Sequence, residues 1–440
     1  MSHQNLRFIV QPGGKLTGRI RVPGDKSISH RSIMLGSLAE GTTQVSGFLQ
    51  GEDCLCTLQA FRNMGVQIDG PSEEGKVTIH GVGLHGLKAP TTDLDMGNSG
   101  TSMRLMSGLM SGQAFDVRMT GDSSLSKRPM KRVTVPLAQM GARIDATEQG
   151  TPPLNVHGGS RLKGIHYEMP MASAQVKSAL LLAGLYAEGE TSVTEPAPTR
   201  DHTERMLRGF GYTVKTEANR ISLQGGGKLT ATAIDVPSDI SSAAFFMVGA
   251  SIAEGSDPII EHVGMNPTRT GVIDILRLMG ANLELLNPRE VGGEPVADVR
   301  VRSAKLKGIR IPAELVPLAI DEFPVLFVAA SCAEGETVLT GAEELRVKES
   351  DRIQVMADGL VACGIDAQPT SDGIIIQGGK LTGGRITSHN DHRIAMSFSI
   401  AGLRASSSML INDCATVNTS FPGFVQLAQR AGLGISTDGE

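Results

Sequence analysis

The chain has 440 residues, of which 40% are hydrophobic and 20% charged, and its formal charge at pH 7 is −5. This composition is ordinary for a globular protein, and it excludes a protein that binds nucleic acid mainly through a basic surface. A chain of this length exceeds the size at which single hydrophobic cores stop growing, so we expect two domains of about 200 residues each.

Six copies of one pattern follow each other along the chain. Each copy begins with polar residues and continues as a helix of small and apolar residues, and a helix that is apolar on nearly all sides is predicted to be buried. The six first helices start near Lys26, Asn98, Ser173, Asp239, Asp321 and Asp391. A second helix in each copy ends at a glycine suited to a left-handed helix stop, at positions 65, 141, 211, 280, 364 and 432.

Strands are predicted between these helices. Four copies turn on Ala-Glu-Gly (39–41, 187–189, 253–255 and 333–335) and continue into β-branched segments. Each unit of about 70 residues is therefore βαβαββ-like, and six units divide into two lobes of three, with 231–239 as the crossover. We predict a two-lobed α/β protein with parallel buried helices. Stacking as a solenoid is the alternative, but units this long with fully buried helices favour closed lobes.

The remaining composition bears on the core and the compartment. Aromatic residues make up 3% and Trp is absent, so we expect a core of aliphatic and Met side chains. Five scattered cysteines are too few for a disulfide framework, which favours a reducing compartment. Cys54 and Cys56 could form half of a metal site, but no second Cys or His pair at zinc-like spacing accompanies them. No signal-like start and no run of eighteen uncharged apolar residues occurs, so we expect a soluble, cytoplasmic protein.

Basic and hydroxyl residues are concentrated at the helix starts. A helix N-terminus attracts anions through its free N–H groups and the macrodipole. A single Arg at such a position is usually an exposed surface residue, but the recurrence favours a cationic cleft for two small anions, formed where the starts converge. First helices carry Lys26, Ser27, Arg31, Asn98, Gly100, Thr101, Arg104, Ser173, Gln175, Asp391 and Arg393, and second helices carry Lys127, Arg128, Arg200, Arg269, Lys348, Glu349 and Arg352.

Two carboxylates stand among these cations and are candidates for proton transfer. Asp321 lies in LAIDEFP and Glu349 in RVKESDR. The structural alternative for Asp321 is a helix N-cap. For Glu349 the alternative is a surface ion pair with Lys348 or Arg352.

The strings PGDKSISHR, GNSGTSMR, SKRPM, MASAQVKSALLLAGL, RVKESDR, DHRIAM and SFPGF resemble those of EPSP synthases, in the same order and over nearly the whole chain. MASAQVKSA, EELRVKESDR and TRDHTE are closer to the bacterial class II branch of that family. The resemblance implies an inside-out α/β prism of six repeats, three per lobe. It places one lobe at residues 1–21 plus 236–440 and the other at 22–235.

The activity implied by the resemblance is transfer of the enolpyruvyl group of phosphoenolpyruvate to the 5-hydroxyl of shikimate 3-phosphate, a step toward chorismate and the aromatic amino acids. The hydroxyl attacks C2, C3 is protonated, and a tetrahedral intermediate then loses phosphate. We expect no cofactor, no metal, no nucleic acid or membrane partner, and a monomer. Closure of the lobes over both ligands, from an open ligand-free form, is a further hypothesis.

The resemblance also implies roles for individual residues. Ser27 and Arg31 would hold the shikimate ring and its carboxylate. Asp321 would deprotonate the hydroxyl, and Glu349 and Lys26 would manage the proton at C3. The implied residues for shikimate 3-phosphate are Lys26, Ser27, Arg31, Ser173, Ala174, Gln175, Arg200, Asp321 and Lys348. Those for phosphoenolpyruvate are Lys26, Gly100, Arg128, Gln175, Arg352 and Arg393.

Two positions depart from the class I pattern of the family. Thr419 stands where class I enzymes have a Lys, and Glu344 stands where they have an Asn. Both departures look class II-like. Glyphosate-tolerant members of the family often carry Ala at the position of Gly100, and we hypothesise intermediate sensitivity at best for this chain.

Three other interpretations are weaker. The sister enzyme that uses UDP-N-acetylglucosamine usually has Asn beside the N-terminal Lys and a loop Cys, whereas Ser27 follows Lys26 here and no Cys lies near Arg128. A protein that only binds anions would not need both Asp321 and Glu349. A repeat scaffold for protein partners would present exposed repeat faces rather than residues at helix starts.

Overall fold

The computed structural model describes residues 6–438. The chain divides into two compact units. Unit 1 comprises Met1–Pro23, Pro237–Glu290 and Glu294–Glu440, and unit 2 comprises Gly24–Val236 and Val291–Gly293.

Buried helices alternate with less buried outer helices along most of the chain. In chain order, α1 to α13 are Lys26–Leu38, Glu52–Asn63, Gly100–Ser111, Lys131–Gln139, Ala174–Gly184, His202–Gly209, Ile240–Ile252, Gly271–Leu278, Phe323–Ser331, Arg352–Ala362, His392–Ala401, Val417–Ser420 and Phe424–Ala431. Short 3₁₀ turns lie at Leu125–Lys127, Ala313–Leu315, Ile320–Glu322, Glu343–Val347 and Gly402–Arg404.

Short strands connect the helices. In chain order, β1 to β24 are Arg7–Gly14, Thr17–Ile20, Ala39–Ser46, Gln67–Asp69, Val77–Val82, Leu94–Asp95, Val117–Thr120, Arg143–Asp145, Leu154–His157, His166–Glu168, Glu190–Thr194, Val214–Glu217, Arg220–Gln224, Leu229–Thr230, Ala233–Asp235, Asp257–Gly264, Asn282–Val291, Glu294–Arg302, Glu336–Leu339, Asp366–Pro369, Ile374–Gln377, Gly384–Thr387, Met409–Asn412 and Leu433–Asp438.

Small sheets form the outside of each unit. In unit 1 the strand orders are β22-β23-β1-β24, β17-β18-β16-β2 and β19-β21-β20. In unit 2 they are β10-β11-β13-β12, β6-β7-β9-β8 and β14-β3-β5-β4, with β15 also on β3. The parallel pair of β10 with β11 flanks the buried helix α5, and the antiparallel pair of β11 with β13 flanks the outer helix α6. The mixed α/β class predicted from the repeats is confirmed.

The first helix of each repeat is the buried one. All thirteen residues of α7 are buried, and so are all nine of α9. Such helices can be surrounded on all sides only if sheets and outer helices cover them, which is the arrangement that their apolar composition predicts. The described part of unit 2 has a core rich in Met and Leu, as predicted, but unit 1 also contains a phenylalanine group that the low aromatic content did not indicate, with Phe421 and Phe424 at 5.3 Å.

The starts of the buried helices meet at one end of each unit. In unit 2, His30 near the start of α1 contacts Ser102 of α3 at 3.2 Å, and Arg104 of α3 contacts Gln175 of α5 at 2.6 Å. In unit 1, Ser241 of α7 hydrogen-bonds Glu322 just before α9. The first turns of these buried helices, with their free N–H groups, therefore lie close together within each unit.

Glycines end the second helices as predicted. Gly65 and Gly432, for example, have φ of 87° and 118°, in the left-handed region that only glycine occupies without strain. Within residues 6–438, no helix combines the length and the apolar character that crossing a bilayer would require.

Candidate active site

Lys26 lies in the first turn of α1 in unit 2. Asp25 caps this helix, since its Oδ1 accepts a hydrogen bond from the N–H of Ile28 at 2.8 Å. The Lys26 ammonium forms a short ion pair with Asp53 of α2, whose side chain is only 3% exposed. The lysine is therefore held at the helix start by a buried carboxylate.

Arg31 is the central cation of unit 2. Its guanidinium donates to Thr203 Oγ1 at 2.7 Å, to Ser178 Oγ at 3.0 Å and to the carbonyl of Ser27 at 3.0 Å. These contacts join the starts of α1, α5 and α6. Arg31 is buried, and these contacts fix its guanidinium where the three helices meet.

The start of α5 lies against the start of α3. Ser173 caps α5 through the N–H of Val176 at 3.3 Å, and Ala174 is the first residue of the helix. Gln175 accepts a hydrogen bond from Arg104 Nη1 at 2.6 Å and donates to Thr101 Oγ1 at 3.0 Å. These two hydrogen bonds fix the orientation of Gln175. Its partner Arg104 was predicted to lie at a helix start, but no role was predicted for it.

Arg128 reaches back to the loop before α3. It donates to the carbonyl of Asn98 at 3.1 Å and to Asn98 Oδ1 at 2.8 Å. Gly100 begins α3 beneath this guanidinium: a Cβ at Gly100 would lie 2.9 Å from Arg104 Nη1 and 3.1 Å from Arg128 Nη1. A side chain at position 100 would therefore displace these two arginines.

A buried histidine supports the starts of α1 and α3. His30 Nδ1 lies 2.9 Å from Thr57 Oγ1 and 3.2 Å from Ser102 Oγ. Burial, reinforced by the positive charges of Lys26 and Arg31, holds the pKa of His30 well below its usual value. His30 is therefore neutral near pH 7 and acts as a hydrogen-bonding partner inside the fold.

Arg200 lies on the loop between β11 and α6, and a buried ion cluster joins the two ends of that loop. Lys177 Nζ is 2.9 Å from Glu195 Oε1 and 2.8 Å from Glu204 Oε1. Burial raises the pKa of Glu195, and the charge of Lys177 opposes this. Lys177, for which the sequence indicated no role, thereby fixes both ends of the loop that carries Arg200.

Arg352 is the centre of the cluster in unit 1. Its side chain is 1% exposed and contacts three carboxylates: Asp391 at 2.9 Å, Glu349 at 2.6 Å and Asp321 at 3.5 Å. Burial opposes its charged form, but Asp391 and then Glu349 outweigh burial and raise the pKa of Arg352 above its ordinary value. The guanidinium is thus a permanent charge that holds both candidate proton-transfer groups.

Lys348 extends this cluster. Its ammonium lies 3.7 Å from Asp321 Oδ1 and 2.8 Å from Glu344 Oε1. Glu344, the departure from the class I pattern, is therefore a direct partner of a predicted substrate-binding lysine. Thr419 makes a local contact, since its hydroxyl donates to the carbonyl of Thr416 at 2.7 Å.

Arg393 and Asp391 connect α11 to the same cluster. Asp391 is fully buried and caps α11 through the N–H of Arg393 at 2.9 Å, while it also accepts hydrogen bonds from Arg352. Arg393 Nη1 donates to the backbone carbonyl of Asp321 at 3.1 Å. Asp391 was predicted only as a helix start. It therefore holds Arg352 and Arg393, two of the residues predicted to bind phosphoenolpyruvate.

The structure brings the predicted residues together in two groups, one in each unit. Arg31 joins Ser27 in unit 2, and Arg352 joins Asp321 and Glu349 in unit 1. The residues that sequence reasoning missed are their buried partners. The one feature of the sequence that could have indicated Asp53 is that it belongs to an acidic pair at the start of α2. Among the described residues, no group of three or more His, Cys, Asp or Glu side chains could hold a metal ion.

The model of one protein family matches most of the chain. It is the family described as EPSP synthase (3-phosphoshikimate 1-carboxyvinyltransferase), and the match covers residues 10–427. The chain belongs to the EPSP synthase family. The resemblance seen in the seven sequence motifs is thus confirmed.

The chain is also similar to curated relatives and to a solved structure over nearly its whole length. The chain is similar to the 3-phosphoshikimate 1-carboxyvinyltransferases of Methylococcus capsulatus, 70% identical with 99% of each chain covered, and of Hydrogenovibrio crunogenus, 69% identical with 98% of each covered. A solved EPSP synthase from Acinetobacter baumannii is 66% identical, with a TM-score of 0.90 over 99% of this chain and 100% of that one.

Proposed function

We propose that this chain transfers the enolpyruvyl group of phosphoenolpyruvate to the 5-hydroxyl of shikimate 3-phosphate, within the pathway to chorismate and the aromatic amino acids. The observation that carries the proposal is the cluster of unit 1, in which Asp321 and Glu349 lie 3.5 Å and 2.6 Å from Arg352. A site that only bound anions would gain nothing from two carboxylates among its cations. Proton transfer, in contrast, needs positioned carboxylates.

Shikimate 3-phosphate is the ligand proposed for Arg31 and the start of α5. The substrate's carboxylate would pair with Arg31, and Ser27 would contact the ring. The hydroxyl of Ser173, the N–H groups at Ala174 and Gln175, and the positive end of α5 suit a phosphate. Arg200 and Lys348 would add cations around the same substrate.

Phosphoenolpyruvate is the ligand proposed for the remaining cations. Arg128, Arg352 and Arg393 would bind its carboxylate and phosphate, because planar guanidinium groups match both anions bidentately. Gly100 would let the ligand approach the start of α3 beside Arg128, since a Cβ there would lie 3.1 Å from Arg128 Nη1. Gln175, which accepts a hydrogen bond from Arg104, would complete this set.

The chemistry proposed is addition followed by elimination. Asp321 takes the proton of the 5-hydroxyl as its oxygen attacks C2 of phosphoenolpyruvate. Glu349, assisted by Lys26, delivers a proton to C3, which becomes a methyl group. In the second step the methyl group returns a proton, the C2–O bond to phosphate breaks, and the vinyl ether forms. Preorganised cations stabilise the charge that develops on the phosphate and carboxylate oxygens.

We also propose the remaining properties implied by the class II-like resemblance. The proposed lobes are residues 1–21 plus 236–440 and residues 22–235, and the division of the chain into unit 1 and unit 2, with boundaries a few residues away, supports them. The chain acts as a cytoplasmic monomer that needs neither cofactor nor metal. A sedimentation measurement of the purified chain tests the monomer, and activity in the presence of a chelator tests the independence of metal.

Deuterium incorporation tests the roles of the two carboxylates. In D₂O, protonation and deprotonation at C3 place deuterium in the methylene group of product and recovered phosphoenolpyruvate. We expect Glu349→Gln to slow deuterium incorporation and phosphate release together by about 10²- to 10⁴-fold, the usual contribution of a general acid or base. Calorimetric binding of shikimate 3-phosphate should change by less than about threefold.

The matched control is Glu343→Gln, which removes an exposed carboxylate from the same segment. It should leave both rates unchanged within about twofold. If Glu349→Gln incorporates deuterium at the unmodified rate, the role proposed for Glu349 is wrong.

A further inference from the structure

Arg269 was predicted among the cations at helix starts, but the structure does not leave it facing solvent. Its side chain is 4% exposed. Nη2 donates to Ser241 Oγ at 2.7 Å and lies 3.3 Å from Asp239 Oδ1 and 3.8 Å from Glu322 Oε1. Ser241 in turn donates a short hydrogen bond to Glu322. Arg269 is therefore surrounded by acidic and hydroxyl groups of its own chain.

The repeat pattern shows what is unusual about this arrangement. Pro-Thr-Arg occurs twice, ending at Arg200 before α6 and at Arg269 before α8, and each time it follows a buried helix and a strand. The preceding buried helix is capped by neutral Ser173 in the first case and by Asp239 in the second. Arg269, in the second motif, thus has carboxylates of its own chain as partners. Arg200, in the first motif, is instead proposed to contact a substrate phosphate.

One of these internal carboxylates is next to the proposed general base. Glu322 is the last residue of the turn Ile320–Glu322, and Asp321 precedes it. The Glu322 side chain is 1% exposed, whereas that of Asp321 is 15% exposed. Consecutive side chains of this turn therefore differ in burial, with Glu322 fixed inside and Asp321 turned toward Arg352 and Lys348.

A second contact joins the loop of Arg269 to the same turn. The N–H of Gly271 donates to the carbonyl of Leu318 at 3.2 Å, three residues before Asp321. A Cβ at Gly271 would lie 2.8 Å from the carbonyl carbon of Leu318, so the two backbones are as close as a glycine permits. On the other side, Arg393 binds the backbone carbonyl of Asp321.

We propose that Arg269 and Glu322 are positioning residues for Asp321. Their buried contacts with Ser241 at the start of α7 fix the turn Ile320–Glu322, so the Asp321 carboxylate is held in one orientation when the hydroxyl is deprotonated. The inference rests on the role proposed above for Asp321. It assigns no contact with substrate to either residue.

A double-mutant cycle tests the proposal. Glu322→Gln keeps the shape of the side chain but removes its charge. We expect its kcat to fall between about tenfold and a hundredfold, the effect of a displacement near 1 Å, while KM for both substrates changes by less than about threefold. In an Asp321→Asn background, where no base remains to be positioned, Glu322→Gln should lower kcat by less than about twofold.

The control is Asp298→Asn, which makes the same chemical change in another carboxylate of unit 1. Asp298 is 7% exposed and pairs with Arg289 at 3.3 Å, and it contacts none of the proposed substrate ligands through its described bonds. Its effect on kcat should be below about twofold in both backgrounds. Circular dichroism and binding of shikimate 3-phosphate verify that each variant is folded.

Each outcome decides the matter. If Glu322→Gln lowers kcat by less than about twofold, or lowers it equally in both backgrounds, the positioning role is wrong. If Glu322→Gln does not fold, Ser241→Ala, which leaves the ion pair but removes its bridging hydroxyl, is taken through the same cycle and judged by the same two criteria. If Asp321→Asn alone keeps kcat within about threefold, the proposed role of Asp321 fails, and the positioning role fails with it.

Discussion

Arg352 shows how a single residue can unite the chemistry of unit 1. Withdrawing a guanidinium from water is costly, and three carboxylates within 3.5 Å compensate for that cost. The same contacts place Asp321 and Glu349 on one cation, although they are 28 positions apart in the sequence. Loss of Arg352 would leave a buried group of carboxylates without their common partner.

We predict that Arg352→Gln lowers the free energy of unfolding by about 3–5 kcal/mol, as expected when one member of a buried ion cluster is removed. Urea denaturation of the purified variant measures this change. Arg300→Gln is the control, because Arg300 makes a bidentate but exposed pair with Asp257, which is worth at most about 1 kcal/mol. Equal losses for the two variants would show that burial of Arg352 contributes nothing.

Gly100 is a second position where one atom decides the environment of a proposed ligand. Gly100→Ala places a Cβ within 3.1 Å of both Arg104 Nη1 and Arg128 Nη1, so these side chains must move. We predict that KM for phosphoenolpyruvate rises by about tenfold, corresponding to about 1.4 kcal/mol of lost binding. KM for shikimate 3-phosphate should stay within about threefold.

Inhibition by glyphosate, measured in competition with phosphoenolpyruvate, should weaken in Gly100→Ala at least as much as KM for phosphoenolpyruvate rises. Ser107→Ala, further along the same helix, where the hydroxyl donates to the carbonyl of Met103 at 2.7 Å, is the control for a general disturbance of α3. An unchanged KM for phosphoenolpyruvate and unchanged inhibition in Gly100→Ala would contradict the placement of this substrate beside Arg128.

At the scale of elements, the sequence predicted where helices begin better than what their first turns contact. The six first helices start at or within two residues of the predicted positions, because caps and apolar periodicity are local signals. The partners were not predictable in the same way. Asp53, Lys177 and Glu322 come from other elements, and only packing brings them to Lys26, Glu195 and Arg269.

His30 provides a pH test of the first turn of α1. Its pKa is lowered from 6.5 by burial and then by the charges of Lys26 and Arg31. Below pH 6.5 the unfolded chain binds a proton at His30 that the folded chain does not. The contribution of neutral His30 to the free energy of unfolding is therefore fully present above about pH 6.5. As the pH falls from there toward the lowered pKa of the folded state, this contribution is lost by up to about 1.4 kcal/mol per pH unit.

Urea midpoints at pH 7.5 and 5.5 measure this effect. His30→Gln should show a smaller loss of stability between these two pH values than the unmodified protein. His389→Gln, at an exposed histidine, should keep the unmodified pH dependence. The interpretation of His30 is wrong if all three proteins lose the same free energy of unfolding.

At the scale of the whole molecule, each unit contains residues to which a role is proposed above. The sequence supplied the α/β class, the repeats and the motifs of the EPSP synthase family, because these depend on local patterns and on residue identity. The phenylalanine group of unit 1 could not be predicted from the sequence. A low average aromatic content does not indicate which of the twelve Phe residues pack against each other. Nor did the sequence separate Arg269 from the cations proposed to bind substrate, since burial is a property of the folded chain.

The most direct test of the account is phosphate release from phosphoenolpyruvate by the purified chain, with a chelator present. Shikimate 3-phosphate and UDP-N-acetylglucosamine are supplied separately as acceptors. We predict release with shikimate 3-phosphate alone, and its loss by about 10²-fold or more in Asp321→Asn. Release only with the nucleotide sugar, or with neither acceptor, would contradict the proposed function.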